Sequence, residues 1–159
     1  MKNKIIMVST GLLVLLAGCG SNFDNDPMIN WQPPAAVDIS NNTVLWEGKL
    51  DERNDLVVTN NWVNDCFITW NLQYTQLAYP KVVIVDSRFV CSGVGKMVGC
   101  YVRNTETIYL SQDVSGSMYQ SMYHVLAHEL VHWRTGVDGE STYAMWACGS
   151  SMPPHWTPN

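Results

Sequence analysis

The residues whose types and spacing can do chemistry are His128, Glu129 and His132, in the run His128-Glu129-Leu130-Val131-His132. The pattern is H-E-x-x-H. On a helix, residues four apart are neighbours on one face, so both imidazoles can reach a single metal ion. Glu129 stands one step round from His128 and can reach a water on that metal. Zn2+ accepts imidazole ligands and lowers the pKa of its bound water to about 7, where a carboxylate can take the proton. The implied chemistry is hydrolysis by a metal-activated water, with Glu129 as general base.

That chemistry needs a helix that turns both histidines toward a cleft. Ser117 to Arg134 predicts one: it contains no Gly or Pro, Ser115 or Ser117 serves as N-cap, and Gly136 stands just past the end. At about 100° per residue, Tyr119, Met122, Tyr123, Leu126, Leu130 and Trp133 share one face and His128 and His132 the opposite one. Val125, Ala127 and Val131 fill the flanks, so the helix is expected to be largely buried.

On these residues the chain resembles the zincin metallopeptidases, closely over this helix and loosely on either side. The resemblance implies a zinc ion and hydrolysis of peptide bonds in a peptide or protein substrate. It also implies a single α+β domain, with a small mixed sheet packed on the active-site helix and one other main helix. A catalytic zinc takes three protein ligands and a water. Metzincin-type enzymes continue H-x-x-G-x-x-H, or Asp at the last place. Asp138 holds that place here, with Gly136 one position later than the pattern sets it. Glu140 is the alternative: it would open a second helix, Ser141 to Ala147, much as gluzincins carry a ligand Glu on a following helix. His155, in a Pro-rich tail, is a weaker candidate.

His124, four residues before His128, is placed to hydrogen-bond substrate or to orient a ligand, or is simply a helix histidine. Tyr143 would stabilise the oxyanion, as tyrosines do in several zincins, or else pack. In zincins a strand just before the active-site helix often edges the cleft and takes substrate by backbone hydrogen bonds. Thr107 to Ser111 stands there, so Tyr109 and Leu110 would border the substrate.

The N-terminus reads as an export signal. Lys2 and Lys4 precede an apolar stretch, Ile5 to Leu16, too short for a comfortable membrane span. It ends in Leu16-Ala17-Gly18-Cys19, which matches the bacterial lipobox. Residues 1–18 are thus a signal peptide and Cys19 the acylated (palmitate-type) first residue, anchoring the chain to the bilayer without spanning it. Gly20 rather than Asp follows the Cys, as in lipoproteins sent to the outer membrane of a Gram-negative host. Residues 19–42 form a tether containing Pro33-Pro34, and 43–159 the catalytic domain.

Losing Lys2 and Lys4 removes two of nine bases against fourteen acids, taking the formal charge from −5 to −7. With no basic run, nucleic acid is not expected as a partner. About 140 residues suffice for one domain with its own core, and a monomer is expected.

Within that domain, Thr43 to Leu50 predicts a strand, Asn60 to Leu77 a helix capped at Asn60 or Asn61, and Lys81 to Asp86 a buried strand. Val98 to Arg103 and Thr107 to Ser111 are two more strands about a turn at Asn104 to Glu106. Four cysteines besides Cys19 allow three pairings. The pairing expected is Cys91–Cys100, closing the glycine-rich loop between them, with Cys66–Cys148 pinning the C-terminal region. Two other functions use the same features: a peptidase of peptidoglycan cross-links, beside which the anchor would sit, and a non-catalytic envelope lipoprotein with a zincin-like fold.

Overall fold

Lys81-Val82-Val83-Ile84-Val85 carries apolar side chains on both sides of its pleat, and the fold covers both sides. The computed structural model describes residues 35–73, 78–92, 94–136 and 143–149. The signal segment, Cys19, most of the tether, Asp138, Glu140 and His155 lie outside the described residues. In chain order the strands and helices are β1 (Val37–Asp38), β2 (Val44–Lys49), α1 (Asn54–Thr69), β3 (Lys81–Val85), β4 (Phe89–Cys91), β5 (Gly95–Met97), β6 (Gly99–Val102), β7 (Thr107–Ser111) and α2 (Met122–Thr135), followed by a π turn at Met145–Gly149. No helix among the described residues is long and apolar enough to cross a membrane.

A mixed four-stranded sheet and an antiparallel three-stranded sheet make a single α+β domain. The four-stranded sheet runs β2-β3-β7-β6 and the three-stranded sheet β1-β4-β5. β3 and β7 are parallel, with Lys81 opposite Thr107, while β2 and β6 flank them antiparallel. Alternation along each strand sorts side chains between two cores. Val82, Ile84, Tyr101, Ile108 and Leu110 face the larger one, with Leu126, Leu130 and Trp133 of α2 and Leu56, Val63 and Phe67 of α1. Val83, Val85, Cys100, Val102 and Tyr109 face the other way, onto Phe89 and Cys91 of the small sheet.

Several expectations change. β7 is an interior strand, bonded on both edges, so it cannot take substrate by strand addition. Tyr109 lies on the sheet face away from α2, 6.1 Å from the Phe89 ring, and Leu110 is fully buried. Among the described residues the outer strands of this sheet are β2 and β6.

The first helix starts at Asn54, not Asn60. Asp55 favours the first turn through the helix dipole, and Asn60 is buried within the helix, accepting from Arg134 of α2 at 2.7 Å. That helix ends at Thr69, where Asn71 turns left-handed (φ 51°), rather than running on to Leu77.

The second helix is shorter than expected. Ser115 and Ser117 are spent on turns: Asp113 accepts from the Ser115 N–H and hydroxyl, and the Ser117 hydroxyl donates to the Val114 carbonyl. Ser121 is the N-cap instead. The folded body also begins earlier than residue 43, since Val37 and Asp38 of the expected tether pair with β4. Of the helix expected from Ser141 to Ala147, the described part is a short helical lead at 143–144 into the π turn. Both disulfides form as expected, Cys66–Cys148 and Cys91–Cys100.

Candidate active site

The motif helix is fixed at both ends. Ser121 accepts from the His124 N–H, and its hydroxyl hydrogen-bonds His124 Nδ1 at 2.7 Å. His124 is therefore buried and engaged with its own helix cap, rather than standing open toward substrate. At the other end Gly136 takes the left-handed conformation (φ 62°), and its N–H donates to the His132 carbonyl. That turn ends the helix one turn after the second histidine, and glycine adopts it without the penalty of a Cβ.

Between these caps His128, Glu129 and His132 are all buried. The Nε2 atoms of His128 and His132 are 3.2 Å apart and hydrogen-bond each other, with ring centres 4.9 Å apart. Two ligand nitrogens on a tetrahedral zinc, each about 2.05 Å from the metal, lie about 3.3 Å from one another. Donor type, burial and spacing therefore fit the pair to two ligand places of one zinc ion. Among the described residues no third His, Cys, Asp or Glu completes a metal-holding group. The two sequence candidates for that place, Asp138 and Glu140, are outside them.

Four residues around the motif were not legible as site residues. Tyr119, expected on the core face of the helix, precedes it and sets its ring edge-on to His128 at 5.4 Å. Gly149 lies behind His128: a methyl group there would stand 3.6 Å from Nδ1 and would collide with the Met145 sulfur. Met145 is buried, and the turn carrying both residues is tied to α1 through Cys148. On the other flank the first residue of β6, Gly99, lies against Val125 and the Glu129 carboxylate. The only sequence hint of these contacts is a glycine beside each of two cysteines.

Among the described residues, the ring contacts of Tyr143 are with Trp70 and Trp146. It is half exposed, stacked on Trp146 at 5.8 Å and edge-on to Trp70 at 5.9 Å. With those two rings it forms an aromatic group at the surface.

Near the start of α2, the Tyr123 hydroxyl donates to Asp55 at 2.9 Å, and Asp55 is also gripped by two Arg53 nitrogens at 2.8 Å. Burial, helped by that carboxylate, raises the Tyr123 phenol above its ordinary 10.0. The contact joins the N-terminal ends of the two helices and so helps set the angle at which α2 presents its histidines. Compared with protein-family models, curated proteins and solved structures, the chain matches none.

Proposed function

We propose that the chain is a zinc-dependent peptidase of zincin type, hydrolysing peptide bonds in a peptide or protein substrate. The observation that supports it most is the 3.2 Å separation of two buried imidazole nitrogens one helical turn apart, with a buried carboxylate on the intervening residue. His128, His132 and either Asp138 or Glu140 would hold the metal. Bound there, zinc supplies a Lewis acid for the scissile carbonyl and acidifies the attacking water. Glu129 takes the proton of that water as its oxygen adds to the carbonyl carbon. It then delivers the proton to the departing amine as the C–N bond breaks. Burial of Glu129 keeps competing solvent from the proton it carries.

The same proposal places the protein outside the cytoplasm, held to the bilayer by an acylated Cys19. The lipobox supports that reading, as do two disulfides, which persist in oxidising compartments.

The test is Glu129→Gln in the full chain, assayed for zinc content and for cleavage of a fluorescence-quenched peptide library. Wild type should bind one zinc and cleave; the variant should bind zinc equally and not cleave. A wild type that binds no zinc, or a variant that cleaves as fast, overturns the proposal. Purified sacculi in the same assay decide whether cross-link peptides are the substrate.

A further inference from the structure

Gly99 is the first residue of β6, an outer strand of the four-stranded sheet, and its main chain rests on the motif helix. A Cβ at this position would stand 2.3 Å from Val125 Cγ1, 2.6 Å from Glu129 Oε1 and 3.2 Å from Glu129 Cγ. The backbone of Gly99 is not in the left-handed region, so conformation does not call for glycine here. Space does, and the space is filled by one stiff neighbour and one movable one. Val125 is a fully buried β-branched side chain on a helix, held to one rotamer. The Glu129 carboxylate ends a longer side chain with several rotatable bonds and can be displaced. The two contacts therefore differ in kind: crowding Val125 costs stability, whereas crowding Glu129 moves the carboxylate.

We propose that Gly99 is a positioning residue, whose missing side chain fixes where the Glu129 carboxylate sits. This rests on the peptidase reading, in which Glu129 handles the proton of the attacking water. General-base geometry tolerates little displacement, and an error of about 1 Å costs on the order of 100-fold in rate. The edge strand thus acts as a backstop against which the base is set.

Gly99→Ala, Val125→Ala and the double variant, each with both disulfides formed and loaded with zinc, separate the two contacts. Val125→Ala should lower Tm and leave kcat as in wild type. Gly99→Ala should lower Tm and kcat together. In the double variant the collision with Val125 Cγ1 is gone, so Tm should return to that of Val125→Ala. Because the collision with Glu129 remains, kcat should stay about 100-fold down, with KM and zinc stoichiometry unchanged. Recovery of kcat in the double variant means that Gly99 matters only through packing and overturns the proposal. Full kcat in Gly99→Ala, or zinc lost from the double variant, overturns it as well. A wild type that neither binds zinc nor cleaves the peptide library overturns the peptidase reading, and the positioning role falls with it.

Discussion

Arg134, six residues beyond His128, donates from Nη2 to the side-chain oxygen of Asn60 at 2.7 Å, with both residues buried. Its guanidinium also lies 5.1 Å from the centre of the Trp133 ring and 5.9 Å from that of Phe67. A charged group is thus carried into the core and held between the two helices. Asn60→Ala takes away an acceptor for a buried cation, which should cost about 2–3 kcal/mol. Urea unfolding checks this. A midpoint unchanged from wild type would mean that the bond contributes nothing.

Zinc binding should divide the histidines. His128→Ala and His132→Ala should abolish stoichiometric zinc in equilibrium dialysis, whereas His124→Ala, whose ring is engaged with Ser121, should keep it. Asp138→Ala and Glu140→Ala assign the third place: only one of the two should weaken zinc binding to the level of the histidine variants. If His124→Ala alone loses zinc, the donor set proposed here is wrong.

The two disulfides should differ in their effect on stability. The Cys66–Cys148 pair spans 82 residues and the Cys91–Cys100 pair 9. Chain entropy alone assigns them about 4.5 and 2.5 kcal/mol. Cys66→Ser/Cys148→Ser should therefore lower the unfolding midpoint further than Cys91→Ser/Cys100→Ser. It should also weaken zinc binding, because the turn behind His128 loses its tie to α1. Equal midpoints for the two double variants would contradict the first expectation, and undiminished zinc affinity the second.

Alkaline pH should loosen the joint between the helices. The folded-state pKa of Tyr123 lies above its unfolded value of about 10, so the folded chain holds this proton more tightly. The stabilisation is fully present below pH 10 and is lost as pH rises through the raised folded value. Unfolding measured across pH 9 to 12 should show this alkaline loss in wild type and less of it in Tyr123→Phe. Identical alkaline profiles would exclude Tyr123 as the source.

What was legible in the sequence was whatever depends on short periods. The four-residue spacing of His128 and His132, the apolar run of β3, the strand after Thr43 and the glycine past α2 each declare themselves within a few neighbours. Asn60 misled because a polar residue inside an apolar pattern reads as a cap, when its partner is an arginine 74 positions away. The serines before α2 misled because turns and N-caps use the same side-chain chemistry. Strand order was hidden in part: the turn at Asn104 to Glu106 brings β6 back beside β7, but nothing local to Thr107 to Ser111 states that Lys81 to Val85 lies parallel along its other edge. Gly99 was invisible as a site residue because a glycine's role here is defined by what presses on it.

Cys148 is the last of the four paired cysteines along the chain. When a ribosome or a secretion channel delivers the chain from its N-terminus, Cys66 meets Cys91 and Cys100 before its native mate has emerged. Cys66 belongs to the larger core and Cys91 to the smaller, so a bond made in order of appearance would join two layers that the finished fold keeps apart. Correct oxidation therefore calls for delay or for thiol exchange, and a chain cut short before residue 148 is left with an unmatched thiol.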